Sequence, residues 1–448
     1  MAGPNDPVRL SRGPAASPSM PSPSSASEPV TSHSLDPVAD RYDLILFDLD
    51  GVIYRGAEPV PGAAEVLVAV RRRGRRIMFV TNNSSRTPRA VSGVLRGMGI
   101  EASPDEVLTS GRATASMLAR EGLAGASAYV IGERGVREAL AEAGIAIMDG
   151  FPSAADLVVV GWDREVDYAR LRQAALLVER GARLIATNAD ASYPAPDGLW
   201  PGAGAILAAV TTTTGATPVV VGKPHRPLFE AALDATGARR PLMVGDRIDT
   251  DVAGARAMGW DSLLVLTGAS SLADLARSDD LPTYLGTDLH ALLDSAPRAS
   301  VLPAEVGDLA PIRDLLDESG LTSQGLEERL SMTLVCPVPT SGARQTSAIA
   351  ATACIEWIDP SASVLRSVAV HPSHRGRGLG VLLVAHVIRM ARRSGSGRLY
   401  LFTETARGFF ERLGFTAISR DSLPPAVGAS RQALEECAET AVPMLLAQ

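Results

Sequence analysis

Cysteine is scarce in this chain of 448 residues, which has three widely spaced cysteines at Cys336, Cys354 and Cys437. A small, odd and scattered set argues against a disulfide framework and against a structural zinc site, and it fits a reducing compartment. The sequence also has no apolar run long enough to cross a bilayer, and its N-terminus lacks the apolar stretch of a secretion signal. We therefore expect a cytoplasmic protein without a membrane span.

A basic field is also missing, since acidic residues outnumber basic ones and the net charge is -7. Nothing in these totals indicates a nucleic-acid partner. Aromatic residues are few, at 4%, but hydrophobic residues make up 46% of the chain, which is enough to form packed cores. A chain of this length exceeds a single core, so we expect several domains. A homodimer is compatible with these properties.

The order of the sequence patterns predicts four units. Residues 1–40 are rich in Pro, Ser and Ala without periodicity, which is typical of a disordered tail. Short apolar runs then alternate with helical patterns, which predicts an α/β core with a Rossmann-like parallel sheet over 41–123 and 217–294. The block 124–216 has strands of its own and is expected to form an inserted α/β cap domain. Pro and Ser mark a linker near 295–303, and 300–448 reads as a further α+β unit.

Two carboxylates follow the first apolar run of the core. Leu44 to Phe47 read as a buried strand, and Asp48 and Asp50 come directly after it, followed by Gly51. The ends of such strands face the ligand crevice of an open α/β sheet. The two aspartates are therefore predicted to reach one ligand or one metal, with an N-cap pair at a strand-to-helix turn as the alternative.

Three later strands also end in polar residues. Thr81 follows one strand, Lys223 another, and Asp246 and Asp251 follow a third. Parallel strands bring such ends to one edge of a sheet. Carboxylates that converge there repel one another unless a cation separates them, and hard oxygen ligands favour Mg²⁺. A metal, a lysine and a hydroxyl together would receive a phosphoryl group, which a carboxylate nucleophile can accept.

Four motifs then resemble those of the haloacid-dehalogenase phosphatases, in the branch of the nitrophenyl-phosphatases and the phosphoglycolate and glycerol-phosphate phosphatases. The resemblance covers about 41–290. In chain order the motifs are DLDGVIY at 48–54, TNNS at 81–84, GKP at 222–224 and GDRIDTD at 245–251.

The first two motifs would carry the reaction. By the resemblance, Asp48 is the nucleophile and a metal ligand. Asp50 protonates the leaving oxygen, later activates water, and touches the metal through its backbone carbonyl. Thr81 and the backbone amide N–H groups of Asn82 and Asn83 would hold the phosphoryl oxygens.

The later motifs would complete the charge balance and the substrate pocket. By the same resemblance, Lys223 offsets charge on the nucleophile and on the phosphate, which it also binds. Asp246 would ligate Mg²⁺, and Asp251 would support that site. In the cap, Asn188 and Asp190 match a family motif and are expected to contact the substrate. A large cap that closes over the crevice and excludes water favours small phosphate esters over phosphoproteins.

The last unit resembles the GNAT acetyltransferases over about 300–448. A glycine-rich turn at a helix start suits a pyrophosphate, and the turn here matches the acetyl-CoA loop of that family. A second match is FFERLGF at 409–415. The residues expected to bind the cofactor are Val370, Arg375, Gly376, Arg377, Gly378 and Gly380.

Acetyl transfer has weaker support than cofactor binding. Glu356 lies where relatives often carry a general base, but a solvated strand carboxylate is an equal alternative. Phe410 stands where many members have a tyrosine acid. We therefore expect a Mg²⁺-dependent phosphatase for small monoesters, with glycerol 3-phosphate first and phosphoglycolate or sugar phosphates next, and with an acetyl-CoA-binding C-terminal unit. The alternative is a bifunctional or CoA-regulated protein whose main activity is N-acetyl transfer.

Overall fold

The computed structural model describes residues 36–195, 197–296, 300–338, 348–430, 432–433 and 440–447. Most of the expected tail and Cys437 lie outside these ranges. Within them, Val38–Arg41 form a short 3₁₀ helix, and the amide of the buried Val38 donates to the carbonyl oxygen of Asp294 at 3.0 Å. The first core thus includes residues that the sequence assigned to the tail, because Val38 and Ala39 bury apolar side chains there.

The first half is built on a six-stranded parallel sheet, with the strand that precedes Asp48 near its centre. Alternate residues of this strand enter two different cores, with Ile45 and Phe47 on one face and Leu44 and Leu46 on the other. Burial on both faces explains its uninterrupted apolar run. In sheet order the strands are Tyr284–Gly286, Asp261–Val265, Pro241–Gly245, Leu44–Phe47, Arg76–Thr81 and Val107–Thr109.

Helices flank this sheet and connect its strands. They are Ala63–Arg72, Pro88–Gly97, Ser110–Arg120, Arg226–Thr236, Ala253–Met258 and Leu272–Arg277. A two-stranded ribbon of Tyr54–Arg55 and Glu58–Pro59 lies directly after the acidic pair.

The cap is a second parallel sheet inserted into the first domain. It extends to Val219–Val220, past the expected boundary at residue 216, because the chain pairs with Arg183–Ala186 before it returns to the core. Its strands in sheet order are Val219–Val220, Arg183–Ala186, Leu157–Val160, Ser127–Ile131 and Ala146–Met148. Its helices are Arg134–Glu142, Tyr168–Glu179 and Ala203–Thr214, and its hairpin is Ser192–Ala195 with Gly198–Pro201.

The C-terminal half is a seven-stranded mixed sheet with helices, so the predicted α/β core, α/β cap and following α+β domain are confirmed. In sheet order its strands are Leu302–Pro303, Thr333–Pro337, Ile349–Asp359, Ala362–Val370, Arg398–Thr403, Val442–Ala447 and Thr416–Ala417. Its helices are Leu309–Glu318, Leu379–Arg393, Arg407–Arg412 and Pro425–Gly428. Within the described ranges, no helix combines the length and the apolar character needed to span a membrane.

The two halves share a hydrophobic core. Leu275 and Leu285 of the first half are buried in the same cluster as Leu379 and Leu382 of the second. At the edge of this contact, Nη2 of Arg392 lies 2.6 Å from Oδ1 of Asp279. The segment near residue 295, expected to be a linker, therefore joins two units that pack against each other.

Candidate active site

The acidic pair turns back onto a second strand end. Phe47 is in register with Val244 and with Phe79, so three strand ends come to one edge of the sheet. Gly51 has a φ of +79°, and a Cβ atom there would lie 2.4 Å from Oδ2 of Asp246. A glycine is therefore required where the chain turns and passes this carboxylate.

Three buried carboxylates meet at this edge. Asp48, Asp246 and Asp251 each place an oxygen atom within 4.8 Å of the others. Oδ1 of Asp246 is buried and has no hydrogen-bond partner among the described residues. A buried acceptor without a partner is costly unless an ion or another group satisfies it. The all-oxygen donor set and this free acceptor fit a Mg²⁺ ion.

Lys223 lies between two of these carboxylates. Its Nζ is 2.7 Å from Oδ1 of Asp48 and 2.7 Å from Oδ1 of Asp251, and the residue is only 4% exposed. Burial alone would lower the pKa of Lys223, but the two carboxylates outweigh burial and raise it. The lysine is therefore a fixed cation in the site. It is also the only lysine in the chain, a signal that our sequence analysis did not use.

Three carboxyl groups of the site, those of Asp50, Asp246 and Asp251, have pKa values above those of ordinary aspartates. Burial and the neighbouring Asp48 and Asp246 raise the pKa of Asp50 to about 6, although Lys223 and Arg86 oppose this shift. Burial also raises the pKa of Asp246 and of Asp251. A carboxyl group that holds its proton to near pH 6 is suited to general acid catalysis.

The loop after Thr81 is held by its own side chains. Oγ1 of Thr81 accepts a hydrogen bond from the amide of Asn83 at 3.1 Å. Oδ1 of Asn83 in turn accepts from the amide of Ser85 at 2.9 Å and from its hydroxyl at 2.7 Å. These bonds fix the loop beside the acidic cluster.

Asn82 joins this loop to the lysine strand and to the cap. Its Oδ1 accepts from the amide of Lys223 at 2.7 Å, and its Nδ2 donates to the carbonyl of Lys223 at 3.0 Å and to Oδ2 of Asp190 at 3.1 Å. Nδ2 of Asn188 donates to the Asn82 carbonyl at 2.7 Å. The side chain of Asn188, expected to contact substrate, is thus engaged within the protein, and so is the side chain of Asn82.

Sequence reasoning missed further contacts between cap and core. The hydroxyl of Thr187 donates to that of Ser84 at 3.0 Å, and the amide of Gly135 donates to the carbonyl of Ser85 at 2.9 Å. A Cβ at Gly135 would lie 2.4 Å from the carbonyl oxygen of Arg86. No local sequence pattern predicts such pairs, because their members come from distant segments of the core and the cap.

A second group of predicted residues lies in the C-terminal half. Most line a cavity of about 1130 Å³: Val370, Arg375, Gly376, Gly378 and Gly380. Arg377 does not belong to this lining, and its Nη1 is 3.4 Å from Nδ1 of His374. Nε of Arg375 donates to the carbonyl of Val370 at 3.0 Å.

Glu356, for which a general base and a solvated carboxylate were the two alternatives, forms a close ion pair in the structure. Its Oε2 is 2.5 Å from Nη1 of Arg366, whose side chain is 2% exposed. The carboxylate is therefore neither a free base nor a simply solvated strand residue, because it compensates a buried guanidinium.

Both halves of the chain match known protein families. Residues 45–146 match the sequence model of the haloacid dehalogenase-like hydrolases, and 220–292 match a second model of HAD-hydrolase-like proteins. Residues 314–415 match the acetyltransferase (GNAT) family.

Relatives over the first half are phosphatases. The chain is 40% identical over 252 residues to an acid sugar phosphatase of Staphylococcus aureus, covering 56% of this chain and 96% of that protein. The fold is similar to the 4-nitrophenylphosphatase of Thermotoga maritima, with 32% identity, a TM-score of 0.54, and 57% and 98% of the two chains covered.

One similar structure extends into the second half. It is the glycerol phosphate phosphatase of Mycobacterium tuberculosis in complex with magnesium. The identity is 30%, the TM-score is 0.66, and the match covers 85% of this chain and 99% of the other.

Proposed function

Because the chain belongs to the haloacid dehalogenase-like hydrolases and is a phosphoric monoester hydrolase, we propose that it cleaves small phosphate monoesters with Mg²⁺ through a phosphoryl group carried on Asp48. The observation that carries this proposal is that oxygen atoms of Asp48, Asp246 and Asp251 lie within 4.8 Å of one another, with the amine of Lys223 2.7 Å from Asp48 and from Asp251. Such an arrangement combines a carboxylate nucleophile with the positive charge that a phosphoryl group requires.

The reaction divides between the two aspartates of the first motif. An oxygen of Asp48 forms a bond to phosphorus, and the bond from phosphorus to the ester oxygen breaks. Asp50, whose pKa is raised to about 6, gives its proton to that departing oxygen. Asp50 then takes a proton from water as the water oxygen bonds to phosphorus, and phosphate leaves with Asp48 restored.

The surrounding residues hold this reaction in place. Asp48, Asp246 and Asp251 would hold Mg²⁺, with the backbone carbonyl of Asp50 as a further ligand implied by the resemblance. When bound, the ion neutralises phosphoryl charge and orients the ester. Lys223 stabilises the remaining negative charge, and the Thr81 hydroxyl donates to a phosphoryl oxygen.

The preferred substrate is glycerol 3-phosphate, with sugar phosphates and phosphoglycolate next. The cap contacts around Asn82, Asn188 and Asp190 keep the crevice covered, which supports a small ester over a phosphoprotein. The relative that spans both halves is a glycerol phosphate phosphatase. Sugar phosphates follow because the staphylococcal relative is an acid sugar phosphatase.

Phosphate release from a panel of monoesters, with Mg²⁺ present or chelated, tests this proposal in wild type and in two matched variants. Asp48→Asn should abolish turnover and leave the fold intact. Asp249→Asn removes a carboxylate of the same loop as Asp246, but Asp249 is exposed and pairs with Arg247, so turnover should continue. Normal turnover by Asp48→Asn would refute the nucleophile.

Acetyl-CoA binding by the C-terminal half is the second function supported by a specific observation. The strands Ala362–Val370 and Arg398–Thr403 pair at only three positions, and the cavity opens beyond them. The glycine-rich turn before the helix Leu379–Arg393 lies at its edge. Acetyl transfer itself gains no support from Glu356, which is paired with Arg366. Titration calorimetry with acetyl-CoA tests binding, and an absence of heat rejects it.

A further inference from the structure

The cavity of the C-terminal half is not enclosed by that half alone. Five residues of the phosphatase half complete its wall: Leu266, Leu272, Leu285, Gly286 and Thr287. The halves lie close together at the glycine-rich turn, where a Cβ on Gly378 would lie 2.7 Å from the Cβ of Leu285. Any molecule that fills this space therefore touches both halves.

The lining suits a molecule that combines a diphosphate with an apolar part. The lining includes Arg375 and the start of a 15-residue helix, which suit a diphosphate. It also includes apolar side chains such as Leu272, Val368 and Phe409. This combination suits a nucleoside diphosphate that carries a flexible, partly apolar arm, as in coenzyme A and its thioesters.

The same half lacks free groups for transfer chemistry at the expected places. Glu356 compensates Arg366, and Phe410 cannot exchange a proton. With neither of the two expected positions available for transfer chemistry, a cavity that holds a thioester carrier is better suited to sensing that carrier.

One short segment connects this cavity to the metal cluster. The segment Leu266–Leu272 begins and ends with residues of the cavity wall. Between them, the amide of Ala269 donates to Oδ2 of Asp246 at 2.6 Å, and the amide of Ser270 donates to the Asp246 carbonyl at 3.1 Å. The segment thus contacts the cavity with its two ends and orients a metal-binding carboxylate with its centre.

The segment also touches the first motif. The hydroxyl of Thr267 donates to the carbonyl of Gly51 at 2.5 Å, directly after Asp50. At the other end, Leu272 starts the helix Leu272–Arg277, which packs on the helix Leu379–Arg393 of the C-terminal half. A shift of the segment would therefore reach both aspartate loops.

We propose that the cavity between the halves is an effector site for a coenzyme-A-type ligand, whose binding is linked to Mg²⁺ binding through the segment Leu266–Leu272. This inference rests on the second function proposed above. A ligand packed against Leu266 and Leu272 restrains the segment and so fixes Asp246 in the orientation that leaves Oδ1 free for a metal. The two ligands should strengthen each other's binding.

Titration calorimetry on the full chain measures this linkage directly. Coenzyme A is titrated with Mg²⁺ present or chelated, and Mg²⁺ is titrated with and without coenzyme A. Both dissociation constants should fall by the same factor, about fivefold or more, because coupling between two sites is reciprocal. Unchanged constants overturn the proposal, and so does an absence of coenzyme A binding at about 1 mM, the range of very weak affinity.

Two tryptophan variants separate the coupled wall from the rest of the cavity. Leu272→Trp fills the cavity from the segment, so it should weaken coenzyme A binding and tighten Mg²⁺ binding without any ligand. Leu321→Trp lies in the cavity lining of the C-terminal half, at a residue that is 38% exposed. It should weaken coenzyme A binding and leave the Mg²⁺ constant unchanged. Equal effects of the two variants on Mg²⁺ would contradict a route through the segment.

The wild-type titrations do not depend on whether the variants fold. Thermal unfolding curves identify any variant that fails to fold. Phosphate release is measured separately. Hydrolysis without linkage would refute only the effector-site proposal. Linkage without hydrolysis of any ester would refute the phosphatase proposal and support the effector site.

Discussion

Lys223→Met removes the only lysine of the chain from between two buried carboxylates. The Nζ atom of Lys223 lies 2.7 Å from an oxygen of Asp48 and 2.7 Å from one of Asp251, and the side chain is 3% exposed. Removing one partner of a buried ion pair costs about 3–5 kcal/mol, because a charge is left without compensation. Mg²⁺ brings positive charge to the same carboxylates. The loss of stability should therefore be largest when the metal is chelated.

Urea unfolding of wild type and variant, with Mg²⁺ or with a chelator, measures this difference. We expect a loss of about 3–5 kcal/mol in chelator and less than half of that in saturating Mg²⁺. Phosphate release should fall by about a hundredfold or more, as when one stabilising donor is lost from an active site. Equal stability of variant and wild type in chelator would refute the electrostatic role of Lys223.

Lys223→Arg is the matched control for charge. All 42 other residues of the Lys and Arg type in the chain are arginine, so the single lysine points to a requirement that arginine does not meet. An ammonium group is a compact point charge that can approach both Asp48 and Asp251, whereas a guanidinium is planar and broader. We expect this variant to regain part of the stability in chelator but little of the turnover. Wild-type turnover in Lys223→Arg would contradict the argument from shape.

Three further predictions concern positioning, pH and the contact between halves. Asn82→Ala should lower the unfolding free energy by about 1–3 kcal/mol for each Lys223 backbone group left without a partner, and it should reduce phosphate release. Burial lowers the pKa of His386 to about 4 from an ordinary value near 6.5. The contribution of the neutral imidazole to the unfolding free energy is therefore complete above pH 6.5 and is lost as pH falls toward 4. That loss is at most about 3 kcal/mol, and His386→Gln should flatten the pH profile of urea midpoints. A chain that ends at residue 295 exposes Leu275 and Leu285 and should melt lower than the full chain by differential scanning calorimetry.

The parallel core was predictable because its signals are local. The run from Leu44 to Phe47 is apolar throughout, which is typical of a strand buried on both faces. Polar residues lie at or directly after the ends of the central strands, at Asp48, Thr81 and Asp246. Parallel pairing then places these ends together without further information. The chemical roles assigned to these residues remain predictions.

The positioning contacts were not predictable because their members lie far apart in the sequence. The backbone amides of Asn82 and Asn83 were expected to face substrate because their motif does so in relatives, whereas the side-chain amide of Asn82, for which nothing was predicted, binds the backbone of Lys223. Its partners Lys223 and Asp190 lie 141 and 108 residues away in sequence. Periodicity contains no information about such pairs. For Glu356, neither of the two alternatives included an ion pair, because its partner Arg366 lies on the neighbouring strand.

The contact between the halves did leave a trace in the sequence. The helix Leu379–Arg393 contains the unbroken run Val381 to Ala385, and all five of these residues are buried. A helix with one apolar stripe needs a single neighbour, whereas apolar residues around most of its circumference require cover on two sides. The sheet of its own domain covers one side, and the helix Leu272–Arg277 of the phosphatase half covers another. The phosphatase half therefore supplies a layer that the C-terminal fold would otherwise lack, so a change at the glycine-rich turn that starts this helix is felt in both halves.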